Sequence, residues 1–146
     1  MISIFKIFKK KKIVPHIRLS GVIGSVGKFK QGLDFNGQQE IIEKAFSFKK
    51  SEAVAISINS PGGSPVQSHL IYSYIRKQAK KNNKKVLVFA EDVAASGGYL
   101  IACAGDEIYA NSSSIIGSIG VIYSSFGLQD LIKKAGIQRR VYTAGK

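Results

Sequence analysis

Two glycine-rich segments, each following a short apolar run, constrain this sequence more than any other feature. The first, Ser60-Pro61-Gly62-Gly63, follows the run Ala53 to Ile58. The second, Ala95-Ser96-Gly97-Gly98, follows the run Val86 to Ala90. Because neither a helix nor a strand interior tolerates proline with paired glycines, the first segment must be a turn. The second is predicted to be a sharp turn from a strand into a helix. Both apolar runs are therefore predicted to be short strands.

Helical patterns separate these strands. Apolar residues recur at helical spacing over 35–48, and a second helix is predicted over 66–81, ended by Asn82-Asn83. Further strands are predicted at 14–23, 107–110, 121–124 and 139–143, with a helix at 128–135 that Gly136 ends. This alternation predicts an α/β layered fold of repeated strand–helix units with right-handed crossovers. The continuous apolar run Val86 to Ala90 predicts a parallel strand covered on both faces.

The positive charge is large and unevenly distributed. The chain has 146 residues, enough for one domain with a buried core, and a formal net charge of +13. Residues 9–12 are all lysine, and a second cluster comprises Arg76, Lys77, Lys80, Lys81, Lys84 and Lys85. Such clusters attract anionic lipid heads or nucleic acid, or simply keep a protein in solution. We predict a basic N-terminal tail over 1–12 and a single domain over 13–146.

No segment approaches the roughly 20 consecutive apolar residues of a membrane-spanning helix. The N-terminus is also too short and too interrupted for a signal peptide. The sequence therefore predicts a protein that is cytoplasmic, or peripheral at the cytoplasmic membrane through contact with anionic lipid.

Few residues of the chain are suited to bind a metal ion. The single cysteine, Cys103, cannot form an internal disulfide, and with only His16 and His69 a structural zinc site is not expected. No metal and no cofactor is predicted. Cys103 lies in an apolar stretch and is predicted to be a buried small side chain.

Both glycine turns are candidates for catalytic chemistry. Gly62 and Gly63 let backbone N–H groups converge at a helix N-terminus, which is how an oxyanion hole is built, although a plain turn has the same composition. Ser96 stands between small residues on a strand-to-helix turn, as in a nucleophile elbow. The alternative is that Ser96 merely caps a helix.

A nucleophilic serine needs a base, and the sequence leaves two kinds open. His69 or His16 could serve if Asp92 or Asp106 lay beside it in space. The other solution is a lysine kept neutral by burial, which requires no histidine.

Three segments together resemble the signal peptide peptidase A (SppA) and SohB family of serine peptidases. They are residues 57–63 (SINSPGG), 91–99 (EDVAASGGY) and 117–121 (GSIGV), in the right order and spacing. The resemblance implies a ClpP/crotonase-like fold and a Ser–Lys dyad. It matches Ser96 to the nucleophile, and Gly62 and Gly63 to the oxyanion loop. It also implies a bacterial protein whose protomers assemble into a ring or dome with inward-facing active sites. The implied reaction is hydrolysis of apolar remnant signal peptides.

The sequence departs from this family at its C-terminus. In relatives the general-base lysine stands three residues after the glycine that matches Gly145, and here only Lys146 follows. Lys146 is therefore not its equivalent. We expect a peptidase domain that is incomplete at this end, and inactive unless a shift of the chain end lets Lys146 replace the missing lysine.

Two other functions are compatible with the sequence. A ClpP-like Ser-His-Asp or crotonase-like acyl-CoA enzyme would need His69 beside Ser96. A non-catalytic basic module would bind membranes or nucleic acid, but it leaves the glycine turns unexplained. For the peptidase, apolar peptides and further copies of the chain are the expected partners, and nucleic acid is not.

Overall fold

A parallel sheet with helices between its strands positions both glycine turns. The computed structural model describes residues 13–24, 32–121, 126–138, 140 and 142. In chain order its elements are β1 (His16–Ser20), α1 (Phe35–Ser47), β2 (Ala53–Ser60), α2 (Pro65–Asn82), β3 (Lys85–Ala95), α3 (Gly97–Ala102), β4 (Glu107–Ala110), β5 (Ile115–Gly117) and α4 (Gln129–Lys134). The strand order is β1-β2-β3-β4, β5 also pairs with β3, and all these pairings are parallel. The predicted α/β fold of repeated strand–helix units is confirmed.

One face of the sheet carries the core. Alternate residues of β2 point to it, and Val54, Ile56 and Ile58 are fully buried there. The helices α1 and α2 contribute Ile42, Phe46, Ile71, Ile75 and Ala79 to the same cluster. Side chains on one face of a strand are two residues apart, and those on one face of a helix are three or four apart. The buried residues of β2, α1 and α2 follow these spacings.

The other face of the sheet is open among the described residues, so the prediction of a strand covered on both sides is wrong for this part of the chain. Phe89 of β3 stacks on Tyr109 of β4 with ring centroids 5.1 Å apart, and both side chains are exposed. Nearby, Arg18 of β1 pairs with Glu91 of β3 across the intervening strand. Apolar composition alone did not reveal which face the helices cover.

Local capping fixes the helix ends close to the predicted bounds. The Asp34 carboxylate accepts a hydrogen bond from the Gly37 N–H at 2.8 Å and starts α1. Ser64 caps α2, and Pro65 occupies its first turn. Asn83 ends α2 in the left-handed conformation, with φ 50°. The predicted stop at Asn82-Asn83 is therefore confirmed.

Some predicted elements lie outside the residues that the structure describes. The basic tail over 1–12 and most of the predicted strands at 121–124 and 139–143 lie outside the described residues. Strand β5 was not predicted, because Ile115–Gly117 is too short to show a pattern. Among the described helices, none is long and apolar enough to cross a membrane.

Asp106 links the start of β3 to α2 through hydrogen bonds. This contact predicts that the free energy of unfolding depends on pH in the acidic range. Its carboxylate accepts hydrogen bonds from the Val86 N–H at 2.7 Å and from Arg76 Nη1 at 2.9 Å. The Val86 N–H, and then Arg76, lower the pKa of Asp106 below its ordinary value. Because the folded-state pKa is the lower one, the stabilisation is present above the unfolded-state pKa and is lost as pH falls through the folded-state pKa.

We therefore expect Asp106→Asn to lower the free energy of unfolding by about 1 kcal/mol at neutral pH, since the pair is partly exposed. The variant should also lose less stability than the parent between neutral and acidic pH. Urea unfolding across that range measures both effects. Asp130→Asn, a change at an aspartate of α4, is the control and should keep the parental pH profile. Parallel pH profiles for Asp106→Asn and the parent would contradict this role.

Candidate active site

The two glycine turns meet at one edge of the sheet. They follow β2 and β3, which are neighbouring parallel strands, and Ser60 stands opposite Ala94 in the register. A register shift between Ile58 and Ser60 accommodates the polar end of β3. There Asn59 donates to Asp92 at 2.9 Å and accepts from the Val93 N–H at 3.3 Å. The structure therefore brings together Gly62, Gly63 and Ser96, at the carboxyl edge where α/β folds place reactive groups.

Ser96 occupies a strained position on its turn. Its φ of 52° and ψ of −120° are unusual for a residue with a Cβ, and such conformations are held only where the surrounding structure enforces them. The Ser96 N–H donates to the Gly117 carbonyl at 2.8 Å, which anchors the turn to β5. Although Ser96 stands at the N-cap position of α3, its side chain makes no capping hydrogen bond. The geometry thus disfavours the interpretation of Ser96 as a simple helix cap.

Gly62 packs directly behind the Ser96 turn. A Cβ added at Gly62 would lie 2.8 Å from the Ala95 carbonyl oxygen, the Gly97 nitrogen and Ser96 Cβ. Its φ of +97° independently favours glycine. No side chain fits here, so the contact between the two turns is made by backbone atoms.

Buried Ser60 holds the first turn in shape. Its hydroxyl donates to the Gly21 carbonyl at 2.6 Å and accepts the Gly62 N–H at 3.1 Å. By contrast, the Gly63 N–H donates no hydrogen bond within the described part of the chain. Gly63 also lines the groove beside Ser96, whereas Gly62 is buried. Of the two predicted donors, Gly63 has its N–H better placed to meet a ligand.

Gly97 is a site residue that the sequence analysis did not single out. It begins α3, and the first N–H groups of a helix have no partner within that helix. A Cβ on Gly97 would collide with the Ser68 hydroxyl of α2, and one on Gly98 would lie 2.6 Å from the Ser60 carbonyl oxygen. The Gly-Gly pair after Ser96 was the available signal, because it lets α3 start in close contact with the first turn.

An apolar groove of about 390 Å³ opens beside Ser96. Its backbone rim includes Gly63 and Gly97, and the side chains along it are those of Pro65, Tyr99, Leu100, Cys103, Ile119 and Val121. None of these lining residues is an aspartate, glutamate, lysine, arginine or histidine. The groove can therefore accept an apolar chain segment next to the Ser96 hydroxyl.

The prediction that Cys103 is buried is wrong. Cys103 is exposed and lines the groove. The buried side of α3 consists of Ile101 and Ala102 with the two glycines, and Cys103 follows at its C-cap. Its apolar neighbours in sequence thus belong partly to the core and partly to the groove, which composition could not distinguish.

Neither histidine meets Ser96 in the described structure. His16 Nε2 lies 2.7 Å from Ser57 Oγ, and His69 contacts Ser73 Oγ at 3.3 Å while stacking on Tyr72. The carboxylates of Asp92 and Asp106 pair with other groups than histidine. Within the described ranges, no set of His, Cys, Asp or Glu side chains could hold a metal ion.

Because the two turns are in backbone contact, a methyl group added at Gly62 is expected to destabilise the fold. Gly62→Ala should lower the free energy of unfolding by clearly more than Gly21→Ala. Gly21 also has a positive φ, of +109°, but nothing lies within 4 Å of an added Cβ there. The control thus measures backbone strain alone, about 1–3 kcal/mol. Urea unfolding compares the two, and equal losses would contradict the close contact at Gly62.

Comparison with known proteins yields a family match and several relatives. A profile of Peptidase family S49 matches residues 78–146, which include Ser96. The chain is 37% identical over 130 residues to "Serine protease SPPA, chloroplastic" of Arabidopsis thaliana, covering 84% of this chain and 19% of that protein. It is 59% identical over 133 residues to a Brucella melitensis protein named "Na(+)/H(+) antiporter NhaA", covering 90% of this chain and 18% of that protein.

Among solved structures the chain is similar to the ClpP1 N165D mutant from Listeria monocytogenes, with a TM-score of 0.44 and 22% identity. That match covers 62% of this chain and 46% of the ClpP1 chain. The chain spans less than a fifth of the length of the two curated relatives above. The name "Na(+)/H(+) antiporter NhaA" was given to the whole Brucella protein, and this chain matches 18% of it. The family profile and the protease relatives agree with the motifs around Ser96, and the chain belongs to peptidase family S49.

Proposed function

We propose that this chain carries the nucleophile of a serine peptidase and that the nucleophile is Ser96. The observation that carries the proposal is the strained turn at Ser96, whose hydroxyl does not cap α3 and lies at an apolar groove. In the reaction, Ser96 Oγ attacks the carbonyl carbon of a peptide bond while a base takes the hydroxyl proton. The amine leaves with a proton, and water then hydrolyses the acyl-enzyme ester.

The oxyanion formed by this attack would be held by backbone N–H groups of the two glycine turns. Gly63 supplies one donor and Gly97, at the start of α3, supplies the second. The predicted donor Gly62 has its N–H engaged by Ser60 Oγ, so its main contribution is to let the turns approach. Removing one such donor typically slows the reaction by about 100- to 1000-fold.

The base is proposed to be a lysine, as the resemblance to SppA and SohB implies. Burial beside apolar side chains would keep its amine neutral, so that it can accept the serine proton. The described residues place no lysine among those lining the groove, and Lys146 lies outside them. The proposed base is therefore a lysine outside the described residues. A Ser-His-Asp arrangement is less well supported, because His16 and His69 contact other residues.

The proposed substrates are apolar peptides, such as remnants of signal peptides. Support comes from the groove, in which aliphatic and aromatic side chains lie next to Ser96. Burying apolar side chains there contributes about 25 cal/mol per Å² removed from water. Assembly of several copies, which the family resemblance implies, remains a prediction.

We expect Ser96→Ala to abolish peptide hydrolysis, with kcat/KM falling at least about 1000-fold, because the attacking oxygen is removed. The assay is cleavage of a fluorogenic apolar peptide by the complete protein that carries this sequence. Ser113→Ala, an equivalent change at an exposed turn between β4 and β5, should leave the rate unchanged. Hydrolysis that survives Ser96→Ala would refute the assignment of the nucleophile.

The groove also predicts an effect of charge at Cys103. Cys103→Asp should lower kcat/KM for apolar peptides by roughly 10-fold or more, since a carboxylate in the groove loses hydration when substrate binds. The loss should appear mainly in KM. Cys103→Ala keeps the groove uncharged and serves as the control, with a small effect. Unchanged kinetics in Cys103→Asp would show that the substrate does not occupy this groove.

A further inference from the structure

The end of the sheet opposite Ser96 carries a concentration of lysine. All described basic residues between β1 and α4 lie within 44–85, and this stretch contains a single acidic residue, Glu52. We refer to this surface as the lysine end, and define it by Lys44, Lys49, Lys50, Lys77, Lys80, Lys81 and Lys84. These residues lie on the C-terminal parts of α1 and α2 and on the turns that lead into β2 and β3. Since those strands are parallel and Ser96 follows β3, the lysine end and Ser96 lie at opposite edges.

Hydrogen bonds bring the two turns of the lysine end side by side. Lys84 Nζ donates to the Phe48 carbonyl at 2.5 Å, and the Lys85 N–H donates to the Glu52 carbonyl at 3.0 Å. Lys49 and Lys50, which lie between those two acceptors in sequence, are thereby held next to the end of α2. The clusters are separate in sequence and form one surface in the fold.

Ion pairing leaves most of this charge uncompensated. Arg76 pairs with Asp106 and Lys85 with Glu107, and these two cations are not counted in the lysine end. Lysines in the last turns of α1 and α2 favour the helix dipoles, which accounts for Lys44, Lys80 and Lys81. That explanation does not extend to Lys49 and Lys50, which lie beyond α1 and are exposed.

Exposed aliphatic side chains border the lysine end. A groove of about 470 Å³ lies there, lined by Ile13, Pro15, His16, Ile17, Ile41, Lys44, Ala45 and Phe48. Ile13 and Ile41 are 52% and 49% exposed. Lysines around exposed aliphatic side chains match the interface of an anionic bilayer, where charge meets headgroups and apolar side chains enter the acyl boundary. Nucleic-acid recognition favours arginine instead, and the one described arginine near this surface, Arg76, is paired.

We propose that the lysine end binds an anionic lipid surface. Ile13 and Ile41 enter the headgroup region, the lysines contact lipid phosphates or carboxylates, and the edge that bears Ser96 points away from the bilayer. This inference concerns a different surface from the proposed active site and does not depend on peptidase activity.

The test measures partition of the protein onto vesicles of 30% phosphatidylglycerol and 70% phosphatidylcholine by sedimentation. Lys49→Gln/Lys50→Gln should weaken binding about 25-fold, at about fivefold for each lysine neutralised. Lys133→Gln/Lys134→Gln removes the same charge from α4, and it should change binding less than threefold. Binding of the parent should fall steeply with added salt and be lost on pure phosphatidylcholine vesicles.

A second pair of variants separates a lipid surface from other polyanions. Ile41→Ser should weaken vesicle binding and leave any binding to an oligonucleotide unchanged, while Leu70→Ser, a matched change at an exposed leucine of α2, should affect neither. Circular dichroism confirms that each variant is folded. Equal losses in the two lysine pairs would overturn the proposal, because net charge alone would then explain binding. Binding to an oligonucleotide without binding to anionic vesicles would also overturn it.

Discussion

The backbone contact between Gly62 and the Ser96 turn is the constraint on which the rest of the site depends. Parallel pairing of β2 with β3 places the two turns at the same edge, and the absence of a side chain at Gly62 lets them touch. Ser60, buried beneath, fixes the first turn through Gly21. The unusual backbone conformation of Ser96 is maintained by this packing and by β5. The packing around Ser96 thereby compensates for the unfavourable backbone conformation of this residue.

The chemistry proposed for the site follows from that arrangement. The start of α3 behind Ser96 supplies N–H groups, and the groove supplies an apolar surface for substrate. What the described residues do not supply is the base. The proposed mechanism assigns that role to a lysine outside the described residues.

The sequence predicted features that depend on local chemistry. Asn83 at a helix end and the strand Glu107–Ala110 follow from propensity and pattern, and both were predicted. The exposure of Cys103 was not, because it depends on which side of a short helix meets the core. Nor could the sequence show that Ser60 takes the Gly62 N–H, since that contact requires the three-dimensional turn. Features set by tertiary packing were therefore the ones missed.

The central claim is that Ser96 is a reactive nucleophile, and covalent labelling by a fluorophosphonate tests it most directly. The reagent is applied to this chain and to a chimera in which the segment that follows the matched region in a protease relative is appended. Our account predicts that mass spectrometry finds the adduct on Ser96 of the chimera, and none after Ser96→Ala. Absence of label from both proteins, or an adduct on another residue, would contradict it.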